Sequence, residues 1–247
     1  MIKFSRRFAA AAFMSCAVIG PAGAQTVPAI TVLELFTSQG CSSCPAADAL
    51  FKSYLRRPEV MALSYSVDYW DYLGWKDTLA SPKFTERQRA YGKSVSNGQV
   101  YTPQMVINGA RHAVGSSRGD IDAAVAASNG SAAAPAFRIA ATLADGLISV
   151  QAAGAQVAPV AGPANGVVWL VTVRGQQTVA VKRGENSGRT LSYANIVRDV
   201  AQVGEWTGKA MTVRVPAGSP ALGPDERYAV LIQRGPQGPL LGAGWVQ

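Results

Sequence analysis

Two compact parts are predicted by the sequence, an α/β domain first and a smaller, mostly-β domain after it, and three observations predict them. A strand, a Cys-x-x-Cys loop, a helix and a second strand follow one another between residues 30 and 67. Residues 129–135, Asn-Gly-Ser-Ala-Ala-Ala-Pro, read as a linker. Beyond them, short β-branched runs alternate with turn signals. A chain of 247 residues also exceeds the usual size of one domain.

Residues 1–24 have the pattern of an export signal: Lys3, Arg6 and Arg7, an apolar stretch over 8–19, then Ala22-Gly23-Ala24 as a cleavage site. No later segment is apolar over a spanning length, so stable membrane insertion after signal removal is not expected. A periplasmic or secreted location follows. Loss of the signal removes three of 23 basic residues and no acidic one, leaving 20 against 15, a net charge near +5. No Lys/Arg cluster is interleaved with aromatics, which argues against nucleic acid as a partner. With 48% hydrophobic and 15% charged residues, the chain has ample material for a core.

Taking the elements in order, residues 30–36 form a β-branched and apolar run that predicts a buried strand. A helix follows, opened by Cys41-Ser42-Ser43-Cys44-Pro45, with Pro45 tolerated in its first turn and Ala46, Ala47, Leu50, Phe51, Tyr54 and Leu55 as its apolar stripe. Residues 60–67 read as a second strand, parallel to the first because a helix connects them. An aromatic and acidic segment, 68–77, precedes a helix over 82–93. Residues 104–107 and 111–114 form a hairpin around Asn108-Gly109, and a last helix capped by Ser117 or Asp120 ends the domain. The predicted domains are therefore 25–128 and 136–247. In the second, 136–144 and 147–153 flank the Asp145-Gly146 turn, and 167–174, 177–183, 211–215 and 228–234 read as further strands of a small β-sandwich. Residues 191–202 fit a strand or a helix equally.

The cysteine pair carries the chemistry. Cys16 leaves with the signal, so Cys41 and Cys44 are the two that remain. A C-x-x-C at a helix start lets one thiolate attack a disulfide while the other resolves the mixed disulfide. Orphan N–H groups and the positive end of the helix dipole favour the thiolate, lowering a cysteine pKa from about 8.5. On this reading Cys41 is the exposed nucleophile and Cys44 the buried resolving thiol. Three alternatives stand beside it: a structural disulfide, half of a metal site, or two packed thiols. A structural disulfide gains little from so short a loop. Zinc needs two further ligands, and His112 is the only histidine. Copper(I) needs fewer soft ligands and stays open as a binding-module reading.

The order of strand, Cys-x-x-Cys, parallel strand, Thr102-Pro103, hairpin and final helix resembles the thioredoxin superfamily over about residues 30–128. That resemblance implies a thioredoxin-like N-terminal domain, with a cis Thr102-Pro103 bond facing the cysteines. Pro103 would then shape the substrate groove and the Thr102 backbone would meet an extended substrate. More closely, residues 36–48 (Phe-Thr-Ser-Gln-Gly-Cys-Ser-Ser-Cys-Pro-Ala-Ala-Asp), Val67-Asp68-Tyr69-Trp70-Asp71, Thr102-Pro103-Gln104 and Arg183-Gly184-Glu185-Asn186 resemble the exported bacterial family named domain of unknown function 1223. Gln39-Gly40 stands where a tryptophan usually precedes the first cysteine, and Ser42-Ser43 replaces Gly-Pro.

Other candidates are placed by position. Asp68, Trp70, Asp71 and Trp75 follow the second strand at the sheet end that also bears the cysteine loop, where ligands of open α/β sheets bind. Trp70 and Trp75 are candidate substrate contacts. Asp68 and Asp71 are candidate proton acceptors for Cys44, unless they cap a helix. Glu34 is a third candidate acceptor, unless it faces solvent, and strand parity sets it with Val32 and Phe36, opposite Leu33 and Leu35. His112 is expected to pack rather than to bind metal, and Arg183, Glu185 and Asn186 form a charged turn whose arginine is a candidate anion contact. The functional expectation is a disulfide exchange enzyme acting on protein thiols or on a redox partner protein, with no cofactor and no metal. A non-catalytic module holding copper(I) or a peptide is the alternative.

Overall fold

The computed structural model describes residues 30–128, 135–153, 165–217, 219 and 221–247. The predicted signal, 1–24, and all of the predicted linker but Pro135 lie outside them. The fold is mixed α/β, with one large sheet and few helices.

The first half contains β1 (Thr31–Thr37), α1 (Cys44–Tyr54), β2 (Val60–Ser66), a 3-10 turn (Asp71–Leu73), α2 (Pro82–Val95), β3 (Gln104–Ile107), β4 (Arg111–Val114) and α3 (Arg118–Ser128). β1 is buried at every residue because it pairs on both sides, parallel with β2 and antiparallel with β3. Its side chains alternate between two cores, as a period of two requires. Leu33 and Leu35 pack with Ala47, Phe51 and Tyr54 of α1 and Ile121 of α3. Val32 and Phe36 pack on the other face with Phe84 and Tyr91 of α2. Asn108 and Gly109 turn the β3–β4 hairpin at φ 52° and 62°, and Asn108 is itself buried, its Oδ1 accepting the Val32 N–H at 2.7 Å.

The second half is strand-rich: β5 (Phe137–Ala144), β6 (Leu147–Ala153), β7 (Gly166–Ala180), β8 (Thr190–Trp206), β9 (Met211–Arg214), β10 (Glu226–Gln233) and β11 (Leu240–Trp245). A pair of stacked sheets was the expectation; instead these strands continue the same ladder, in the order β4-β3-β1-β2-β8-β7-β10-β11-β5-β6-β9. The junction is β8, which lies parallel to β2 at Ser64 and Ile196. β10 explains the shape, since Ala229 and Leu231 enter the core that holds α2, whereas Tyr228, Val230 and Ile232 enter another. That second core draws on β5, β6 and β9 as well, so the sheet curls until its far strands cover the second face of β7 and β10. Residues 167–174 and 177–183 prove to be one strand up to Ala180, and the undecided 191–202 lies within β8.

Glu34 lies at the contact between the halves. It is fully buried, and its carboxylate accepts from Arg87 Nε at 2.7 Å and from the Tyr91 hydroxyl at 2.5 Å. Gln233 of β10 donates to the same hydroxyl at 3.1 Å. Arg87 also stands over the rings of Tyr65, Tyr91 and Trp169. Burial works against the guanidinium charge, but Glu34 and the two tyrosines outweigh it and raise the Arg87 pKa. A carboxylate is tolerated in the middle of β1 because its charge is matched and both oxygens are bonded.

Candidate functional site

Cys41 and Cys44 are joined in a disulfide, with Cα atoms 5.4 Å apart. The loop leaves the C-terminal end of β1 and turns through Cys44 N–H to Cys41 O, 3.2 Å, so that α1 begins at Cys44, with Pro45 in its first turn. Gly40 is required by a close approach: a Cβ there would lie 2.9 Å from that of Trp70. Trp70 in turn donates its indole N–H to Thr102 Oγ1 at 2.8 Å. The Thr102-Pro103 bond is cis, and Pro103 packs near Ala47 of α1, where Gly115 leaves room for it. Trp70 and the Thr102-Pro103 pair are therefore brought to the cysteine loop from two separate segments.

Gln39 organises the other side. It is fully buried, its Oε1 accepts the Trp75 indole N–H at 2.8 Å, and its backbone N–H donates to Asp77 Oδ2 at 2.8 Å. Asp77 also takes the Leu79 N–H at 2.8 Å, and Asp71 Oδ1 takes the N–H of Asp77 at 3.0 Å. Asp71 thus braces a turn. Asp68 is engaged with Thr85 of α2, whose hydroxyl donates to Oδ1 at 2.6 Å. Glu34 lies on the face of β1 opposite α1. Of the three acids named from sequence, none has a carboxylate bonded to the cysteine pair.

Sequence reasoning missed the acid on α1 itself. Asp48 follows Cys44 by four residues, one helical turn, and so shares its face. It is only 7% exposed, and neither oxygen has a hydrogen-bond partner among the described residues. Burial raises its pKa from 3.8 to about 7; the Asp77 carboxylate adds to the rise, whereas the nearby Thr37 hydroxyl and Lys52 oppose it. Asp77 is raised to about 6, again chiefly by burial. Tyr193 of β8 borders the same pair of acids. A cleft of about 210 Å³ between α1 and the start of β8 is lined by Asp48, Lys52 and Arg189 among others. The signal in the sequence was an acid in line with the buried stripe Cys44, Ala47, Phe51 and Tyr54.

The charged turn of the second half proves to be part of the site. It lies between β7 and β8, and the buried Asn186 donates both amide hydrogens into the cysteine loop, to Gln39 O and Cys41 O, each at 2.9 Å. Arg189 donates to Asn186 Oδ1 at 2.8 Å, which satisfies the amide completely. Glu185 Oε2 accepts the Ser42 N–H at 3.0 Å, and Gly184 lies against Trp75. Cys41, expected to be exposed, is 1% exposed and Cys44 fully buried, whereas Ser42 and Ser43 face solvent. Arg183 is exposed. His112 packs edge-on against Tyr101, whose hydroxyl shares a 2.8 Å hydrogen bond with Nδ1. Among the described residues no group of three or more His, Cys, Asp or Glu is arranged to hold a metal ion, and no helix is long and apolar enough to cross a membrane.

A buried disulfide at a helix start can exchange with thiols when it is uncovered, one sulfur forming a mixed disulfide and the other leaving as thiolate. Similar architecture occurs elsewhere. The crystal structure of an Agrobacterium tumefaciens protein is 34% identical, with a TM-score of 0.71, over 88% of this chain and 94% of that one. HBP35 of Porphyromonas gingivalis shares the fold at 11% identity and a TM-score of 0.57, over 88% of this chain and 74% of the other. No curated protein matches. Residues 32–233 match the family described as protein of unknown function (DUF1223), and the chain belongs to that family.

Proposed function

We propose that this protein is an exported, thioredoxin-like thiol-disulfide oxidoreductase whose working pair is Cys41 and Cys44. The observation that carries the reading is their disulfide at the start of α1, beside the cis Thr102-Pro103 bond and Trp70. In the oxidising direction a substrate thiolate attacks Cys41 Sγ, the Cys41–Cys44 bond breaks, and Cys44 leaves as a thiolate. A second substrate thiolate then attacks the substrate sulfur and releases Cys41. The substrate dithiol becomes a disulfide and the protein disulfide becomes a dithiol; a disulfide-bearing redox partner restores it. Asp48, with its pKa near neutral, supplies and recovers the Cys44 proton one turn away. Thr102 and Trp70 line the approach of an extended polypeptide.

Equilibration of the purified protein with glutathione buffers tests this. A reduction potential between about −120 and −270 mV supports exchange and assigns its direction, and one below about −300 mV marks a static bridge. The burial of both cysteines favours that second reading, a structural disulfide in a binding module. The same titration separates the two.

A further inference from the structure

The β7–β8 turn reaches across from the second half to close on the cysteine loop, and its bonds there are specific. Asn186 fills both of its amide donors on the carbonyls either side of Gly40, and Glu185 occupies the N–H of Ser42. The turn is internally braced, Ser187 N–H to Gly184 O at 3.1 Å and Arg189 N–H to Asn186 O at 3.1 Å. Its hold on the loop is three hydrogen bonds, one of them made by an exposed carboxylate, and a typical hydrogen bond contributes only about 1 kcal/mol net. Such a segment opens at far lower cost than the central strands beneath it. With it closed, the pair has almost no accessible surface.

We propose that the β7–β8 turn is a displaceable cap, with Asn186 and Glu185 as the positioning residues that hold it shut, and that it screens the Cys41–Cys44 disulfide from small thiols until the turn is displaced. The inference builds on the oxidoreductase reading but is separable from it by experiment. Dithiothreitol in excess reduces the pair whatever its potential: two thiols of the reagent become its cyclic disulfide, and Cys41 and Cys44 become thiols. The folded rate then reports access together with the leaving tendency of the cysteines, and the comparison of each variant with the wild type isolates the turn.

The test is the rate of that reduction in the folded protein, divided by the rate for the same protein unfolded in guanidinium. Asn186→Asp keeps the side-chain size but sets an acceptor against two carbonyls, and Glu185→Gln weakens the bond to Ser42. The wild type should be reduced at least a hundredfold more slowly folded than unfolded. Asn186→Asp should lose at least tenfold of that protection, and Glu185→Gln a few-fold, with unfolded-state rates unchanged. If the folded wild type reacts as fast as the unfolded chain, or if both variants stay within twofold of it, there is no cap. Should Asn186→Asp not fold by circular dichroism, the exposed Glu185→Gln decides the matter alone. A potential below about −300 mV with protection lost in the variants would sink the enzyme and keep the cap.

Discussion

Asn186 and Cys41 stand 145 residues apart in sequence and are joined by a 2.9 Å hydrogen bond from the Asn186 amide to the Cys41 carbonyl. The cysteine loop is thus held from both sides, by Trp70 against Gly40 and by Asn186 over the backbone on either side of it. Loop and turn are one structural unit, although they arise in different halves of the chain.

The pH dependence of stability should carry the mark of Asp48. Its folded pKa of about 7 lies above the ordinary 3.8, so between these values the folded protein holds a proton that the unfolded chain releases. The stabilisation is whole below roughly pH 4 and is lost as pH rises through about 7, on the order of 4 kcal/mol at 1.36 kcal/mol per unit. Thermal melts from acid to neutral pH should fall steeply for the wild type and much less for Asp48→Asn. Asp77, raised to about 6, works in the same direction and leaves the variant a residual slope. Parallel curves for the two proteins would remove Asp48 from the account.

Removal of the Glu34 carboxylate should be among the most damaging single changes. Glu34→Ala leaves the Arg87 guanidinium buried without its charge partner, which costs about 3–5 kcal/mol. Glu34→Leu combined with Arg87→Met should recover most of that loss, since apolar packing replaces a buried pair at little cost. Urea midpoints of the three proteins check this, and a double variant no better than Glu34→Ala contradicts it.

Gly40→Ala should affect the cysteine loop more than the fold. The added methyl meets Trp70 Cβ at 2.9 Å and Trp70 O at 3.3 Å, and overpacking of this kind costs about 1–3 kcal/mol. Trp70 must shift, so its indole bond to Thr102 weakens. The expected readout is a change in tryptophan fluorescence and at least a tenfold loss of exchange with a reduced peptide. Unaltered exchange would show that Trp70 and Gly40 need not touch.

Cys41→Ser with Cys44→Ser should fold. The bridge closes a very short loop, which limits its chain-entropy contribution to about 2 kcal/mol. Near-wild-type far-UV circular dichroism and a midpoint lowered by no more than that amount are expected. Failure to fold would mean that the disulfide is a staple.

Much of the first half was legible because its signals are local. The β1 run, the α1 stripe and the Asn108-Gly109 turn each specify their own conformation, and the elements fall within a residue or three of the predicted bounds. The second half hid one strand, β11, and the continuity of another, β7, for one reason, glycine used for close approach. Gly175 looks like the end of a strand, yet β7 runs through it because the Asp225 carboxylate lies where a side chain would be. Leu240 to Trp245 has little strand character, but Gly242 and Gly244 let β11 press against Phe137 and Ile139. At the site, Cys41, Cys44, Trp70 and Thr102 were nameable from motif and order. The place of Asn186 depends on where the sheet carries a distant turn, which no local pattern encodes. For Glu34, parity gives its face but not its neighbours, Arg87 and Tyr91.

The parallel contact of β2 with β8 sets a timetable for the nascent chain. Ser64 leaves the ribosome well over a hundred residues before its neighbour Ile196, so β2 stands as an unpaired edge, with Met61, Leu63 and Tyr65 lacking the core partners that β7, β8, β10 and β11 supply, until the chain is largely made. A handover of this length is where a chaperone would be needed, and where a stop codon in the last third would leave an adhesive fragment in place of a smaller working protein.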